Sequence, residues 1–112
     1  MSDRKRLRNR RGGLNVDFRC NNTTFTALLG YDERNALREV FLRAGKVGSD
    51  VNISMVEAAI AVSFALQYHC PPDVMRSAMP RRTDGTAEGP IGTLLDLIHE
   101  QDLQELTAEL LR

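Results

Sequence analysis

Tryptophan is absent from this 112-residue sequence, and aromatic residues make up only 5% of it, so the core must be aliphatic. The two cysteines, Cys20 and Cys70, cannot supply four thiolates to a zinc ion. No apolar run approaches the ~18–20 residues that cross a bilayer. No apolar segment follows the basic N-terminus as it does in a secretory signal. We therefore expect a cytoplasmic protein that does not bind membranes.

The motifs of common catalytic sites are missing as well. There is no nucleophile elbow and no HExxH helix, and no pair of carboxylates is placed in a shared cleft. Cys70 follows His69 and precedes a proline, where a helix start can activate a thiolate. Since no second histidine is near, we interpret this pair as structural. We predict no catalytic residues, no metal ligands and no cofactor.

The net charge of zero conceals two oppositely charged ends. Residues 1–11 contain a basic arm: Arg4, Lys5, Arg6, Arg8, Arg10 and Arg11. Beyond Leu95, acidic residues predominate. The arm is therefore a solvated terminus, a segment that docks on protein, or a nucleic-acid contact that neutralises phosphates.

Three short segments have the residue pattern of β-strands. Apolar and polar side chains alternate over residues 14–20, which is typical of a half-buried strand. Asn21 and Asn22 then favour a tight hairpin turn, because asparagine tolerates left-handed backbone angles. Residues 24–29 and 37–44 resume the strand pattern. We predict an antiparallel meander.

From Val51 to Cys70 the apolar period becomes that of a helix. One side carries apolar residues at steps of three and four: Ile53, Val56, Ile60 and Phe64. Apolar residues also cover the opposite side, which is typical of a helix at the centre of its fold or in a subunit contact. Ser49 is a candidate N-cap, and Ser54 with Glu57 is the alternative.

Prolines divide the rest of the chain. Pro71 and Pro72 end the first helix and open a short second one that Pro80 ends. Residues 81–89 are polar and predict a flexible loop.

A leucine-rich amphipathic segment begins at Pro90. It predicts one helix of up to five turns or two helices broken near Gln101. Its distal half has few partners in so small a core, and we expect it to pack on another subunit or a protein partner.

These elements predict an α+β fold, in which a three-stranded antiparallel β-meander is followed by about three α-helices and the first helix packs on the sheet. We divide the chain into a basic N-terminal arm (1–12), a single α+β domain (13–100) and an amphipathic helical tail (101–112).

The segment AGKVGSD, residues 44–50, joins the third strand to the first helix. It lacks the spacing of a phosphate-binding P-loop, because Gly45 stands directly before Lys46. A sharp strand-to-helix reversal capped by Ser49 or Asp50 explains it more simply. The binding alternative is an anion held by Lys46, Gly48 and Ser49 at the helix start.

Two stretches resemble a known family. "EVFLRAGKVGSD" followed by "EAAIAVSFALQYHCP" is similar to the C-terminal region of adenosylcobalamin-dependent ribonucleotide reductases, the TSCPD domain, and "RKRLRNRRGGLNVDF" is similar to the segment that precedes it. The resemblance covers about residues 4–80. It implies a small free-standing bacterial homologue of that domain.

The chain also departs from the family pattern. The pentapeptide that gives the domain its name is absent, His69 replaces a glycine, and Cys70 replaces an apolar residue. Two cysteines cannot supply the thiyl-forming residue and the redox pair that nucleotide reduction needs. We therefore expect a module without reductase activity.

The resulting expectation is a non-catalytic binding or regulatory module that acts through protein–protein contacts in deoxynucleotide metabolism. Its partner is either a second copy or another protein, bound through the first and last helices. The alternative is a nucleic-acid or nucleotide-phosphate binding protein that uses the basic arm and the Lys46 loop.

Overall fold

A computed structural model describes residues 13–44 and 48–111. They belong to two compact units, one that ends at Cys70 and one that begins at Pro71. The predicted basic arm, residues 1–12, lies outside the described residues.

The first unit contains the predicted antiparallel meander. Its strands are β1 (Leu14–Cys20), β2 (Thr23–Tyr31) and β3 (Leu37–Ala44), hydrogen-bonded in the order β1-β2-β3. Asn21 and Asn22 connect β1 to β2 with φ angles of 52° and 66°. Positive φ at both central residues defines the type I′ turn, whose twist matches that of a hairpin.

Alternation along the strands buries one face of the sheet. Phe18 lies opposite Phe25 in the β1–β2 register, and their rings stack with centroids 5.5 Å apart. The buried side chains of the sheet are Phe18, Cys20, Phe25, Ala27, Leu29, Leu37, Val40, Leu42 and Ala44. The period-two pattern of residues 14–20 therefore predicted correctly which face of β1 is buried.

The turn between β2 and β3 is built on Asp32. β2 extends through Gly30 and Tyr31, past the predicted end at residue 29, with an irregularity in the pairing at these two residues. One carboxylate oxygen of Asp32 then accepts the backbone N–H groups of Arg34 and Ala36. This Asx-type arrangement replaces strand pairing with local hydrogen bonds.

Helix α1 (Asp50–Gln67) completes the first unit and contacts β3. Its N-cap is Ser49, whose hydroxyl accepts the N–H of Asn52. The helix ends at Gln67, three residues before the predicted end. Two residues after the helix end, His69 adopts a left-handed φ of 70°.

The second unit contains α2 (Pro72–Ala78) and α3 (Pro90–Leu110). Of the two predictions for the last segment, the unbroken helix is confirmed, and the boundary predicted after residue 100 falls inside α3. Apolar burial in α3 is confined to its first half, at Leu94, Leu95 and Ile98.

The connection from α2 to α3 is ordered by hydrogen bonds, although its composition predicted a flexible loop. The N–H of Arg82 donates to the carbonyl of Thr86, and Asp84 accepts both the N–H and the hydroxyl of Thr86. Gly92 lies where α3 approaches this connection: a Cβ added there would be 2.9 Å from the Cβ of Ala87.

Candidate functional site

Helix α1 is attached to the edge of β3 that faces away from β2. The hydroxyl of Ser63 accepts the N–H of Val40 at 2.9 Å and donates to the carbonyl of Val40 at 3.1 Å. The carbonyl oxygen of the Asn52 side chain accepts the N–H of Ala44. These polar side chains satisfy strand groups that an open sheet edge would leave unpaired.

Because the side of α1 that carries Asn52, Ser63 and Leu66 is turned inward, its stripe of large apolar side chains faces outward. Ile60 is 50% exposed and Phe64 is 59% exposed, and Ile53 and Val56 are exposed as well. The residues of α1 that are buried are Asn52, Ala59 and Leu66. The expectation that α1 occupies the centre of the fold is therefore wrong, and the subunit-contact alternative stays a prediction.

The outer face of the sheet adds two large apolar side chains to this stripe. Leu28 on β2 and Phe41 on β3 are directly paired across the strands, and Phe41 is 53% exposed. Sequence reasoning missed both residues. The available signal was an apolar residue at a position where the alternation requires a polar one.

These residues line a groove of about 700 Å³ along β3. Its helix side is formed by Val56, Ile60 and Phe64, and its sheet side by Leu28 and Phe41. Polar residues also line the groove: Asn15, Thr26, Glu39, Arg43 and Ser63. An apolar centre with polar groups around it is the usual composition of a binding surface.

Arg38 links the C-terminal end of α1 to the β2–β3 turn by hydrogen bonds. Arg38 donates to the Asp32 carboxylate at 3.0 Å and to the carbonyl of Leu66 at 2.9 Å. Partial burial alone would raise the pKa of Asp32, but the donors from Ala36, Arg38 and Arg34 outweigh it and lower that pKa. An arginine at a helix C-terminus also complements the helix dipole.

The predicted anion site is described only in part. Lys46 lies outside the described residues, as does the basic arm, comprising Arg4, Lys5, Arg6, Arg8, Arg10 and Arg11. Gly48 has a φ of 87°, which explains a glycine at this turn. The hydroxyl of Ser49 already caps α1.

The second unit contains a charged cluster around Asp96. Arg81 binds both carboxylate oxygens of Asp96 at 2.9 Å, and Arg76 donates to one of them at 2.8 Å. The hydrogen bonds from Arg81 lower the pKa of Asp96 despite its partial burial, and the positive charges of both arginines add to this effect. The cluster links α2, the α2–α3 connection and α3 by hydrogen bonds, so we assign it a structural role.

Within residues 13–44 and 48–111, no group of three or more His, Cys, Asp or Glu side chains is placed to bind a metal ion. Cys20 is buried and Cys70 is half-buried. The imidazole of His99 pairs with Asp73 at 3.2 Å in the second unit.

A second apolar stripe runs along the distal half of α3. Leu103, Leu106 and Leu110 are each at least half-exposed. They follow steps of three and four residues, so they lie on one side of the helix. This stripe has the amphipathic character that the sequence predicts.

Helix α1 is the one described helix whose length and composition would suffice to cross a membrane. Of this 18-residue window, 17% is buried. The side chains of Asn52 and Ser63 accept N–H groups of β3 and so attach α1 to that strand.

No family model, no curated protein and no solved structure matches this chain.

Proposed function

We propose that this chain is a non-catalytic protein-binding module of the cytoplasm that acts in deoxynucleotide metabolism. The observation that carries the binding role is the apolar groove between α1 and the outer face of the sheet. The metabolic context rests on the sequence resemblance alone.

Exposure of the groove residues supports the binding role. Phe41, Ile60 and Phe64 each expose at least half of their surface within one groove. Monomeric proteins rarely expose contiguous apolar patches above a few hundred Å², and such patches usually mark interaction sites. A protein partner would bury these side chains and gain about 25 cal/mol for each Å² of apolar surface removed from water.

Site-specific cross-linking tests this proposal. A photoreactive phenylalanine analogue replaces Phe64 in the native cell, and the same analogue at Val74, which is exposed on α2, serves as the matched control. We expect position 64 to cross-link to a defined polypeptide, identified by mass spectrometry. Ile60→Glu, which places a charge in the groove, should weaken binding of that purified polypeptide at least about tenfold.

Equal labelling from positions 64 and 74 would contradict the binding role of the groove. Salt-dependent binding of DNA, RNA or deoxynucleotides, lost on Lys46→Ala or on deletion of residues 1–11, would favour the nucleic-acid alternative instead.

A further inference from the structure

We infer that the groove binds the same groove of a second copy, with two α1 helices packed antiparallel about a two-fold axis at Ile60. This inference rests on the proposed function, since it names the partner of that same surface.

The size of the apolar patch fits one side of a standard interface. Six apolar side chains of the patch are between 39% and 59% exposed: Leu28, Phe41, Ile53, Val56, Ile60 and Phe64. At about 200 Å² for each fully exposed aromatic side chain and about 120 Å² for each aliphatic one, they present roughly 400 Å² of apolar surface. A stable dimer buries about 800 Å² per partner, of which roughly 60% is apolar, or about 500 Å².

The stripe on α1 is also self-complementary. Val56 and Phe64 lie four residues on either side of Ile60, so reversing the helix direction leaves these three central positions apolar, and Ile53 then lies opposite Gln67. In an antiparallel pair centred on Ile60, Val56 of one copy lies opposite Phe64 of the other. A two-fold interface requires this property, because both copies contribute the same surface.

Helix packing geometry favours the same arrangement. Residues spaced by four form one of the ridges by which helices pack, and two such ridges interdigitate at a crossing angle near about −50°. At that angle the helices diverge on both sides of Ile60. Phe41 and Leu28, on the adjoining sheet face, then extend the contact beyond the two helices.

The exposed side of α1 carries few charges that dimerisation would have to desolvate. Between Val51 and Gln67 the one charged residue is Glu57, and its position three residues before Ile60 places it beside the axis rather than on it. The helix side of the groove therefore adds little cost of burying unpaired charge, and the charged residues of the groove, Glu39 and Arg43, belong to its sheet side.

Sedimentation equilibrium of the full chain at about 50 µM tests the inference, since interfaces of this size reach micromolar affinity or better. We expect twice the 12.5 kDa chain mass for wild type. Ile60→Glu should raise the dissociation constant about 100-fold or more, because two carboxylates then meet at the axis. Val74→Glu, a charge on an equally exposed valine outside the groove, should leave the dimer unchanged.

Cysteine cross-linking adds a test of the axis that does not depend on stability. In a Cys70→Ser background, Ile60→Cys should form an intermolecular disulfide rapidly, and Val74→Cys should not. Slow or equal cross-linking at both positions would overturn the two-fold arrangement.

A wild-type chain that sediments at 12.5 kDa also overturns the inference. In that case, a different polypeptide cross-linked at position 64 leaves the proposed function standing. Binding of the groove to phosphatidylcholine vesicles, with no cross-linked polypeptide, would overturn both.

Discussion

His69 occupies a backbone position that normally belongs to glycine. Its N–H donates to the carbonyl of Leu66, and the N–H of Cys70 donates to the carbonyl of Ala65. This pair of hydrogen bonds is the Schellman motif, in which the left-handed residue is usually glycine. His69 thus places a Cβ in a left-handed conformation.

Replacing His69 with glycine should stabilise the protein. A left-handed conformation costs a non-glycine residue about 1–2 kcal/mol, and the extra freedom of glycine in the unfolded chain offsets about 0.5–1 kcal/mol. We expect His69→Gly to raise the free energy of unfolding by about 0.5–1 kcal/mol, measured by urea denaturation. His69→Ala keeps the Cβ and is the control; equal stability of the two variants would contradict the strain.

Asp96 makes part of the stability dependent on pH. Its pKa in the folded protein lies below the ordinary value of 3.8, chiefly because of the hydrogen bonds from Arg81. Its contribution is therefore complete above the unfolded-state pKa and is lost as the pH falls through the folded-state pKa.

The measurement is urea denaturation as a function of pH. The free energy of unfolding of wild type should decrease below about pH 4, and Asp96→Asn should remove part of that decrease. In an Arg81→Met background the same substitution should change the pH dependence less. An identical acid-induced decrease in wild type and Asp96→Asn would contradict a role for this ion pair.

At the scale of elements, the strands were predictable and the orientation of α1 was not. Each strand buries one face, so alternation alone identifies it. The orientation of α1 depends on β3, whose edge N–H and C=O groups need partners and attract Asn52 and Ser63. That requirement comes from the preceding strand, and the helix sequence does not contain it. The groove was therefore not predictable as a site, although its helical stripe was visible.

The hydrogen bonds between Ser63 and the edge of β3 should contribute measurably to stability. Removing its hydroxyl leaves the buried N–H of Val40 without its partner, which costs about 1–3 kcal/mol. Ser63→Ala should reduce the free energy of unfolding by about that amount and accelerate hydrogen exchange at the N–H of Val40. Ser54→Ala, on the exposed side of the same helix, is the control and should change little. Equal effects of the two substitutions would contradict the edge contact.

At the scale of the whole molecule, the chain presents two apolar surfaces, the groove of the first unit and the leucine stripe of α3. The stripe was expected to pack on another subunit or partner, and its exposed leucines keep that prediction open. The mass of a chain truncated at residue 100, measured by light scattering, shows which of the two surfaces mediates self-association. An unchanged dimer mass would assign self-association to the groove alone.

The two halves of α3 should differ in their local stability. Leu94, Leu95 and Ile98 are buried, whereas residues 101–111 are exposed except for the half-buried Glu105. A helical segment of about ten residues without tertiary packing is marginally stable in water. In the Ile60→Glu variant, we therefore expect hydrogen exchange to be about tenfold or more faster at the N–H groups of residues 103–110 than at those of residues 94–98. The first half is the internal control, because its protection should match that of wild type. Equal protection of both halves would mean that the leucine stripe is covered by a protein surface even when the groove contact is broken, and self-association would then belong to the tail.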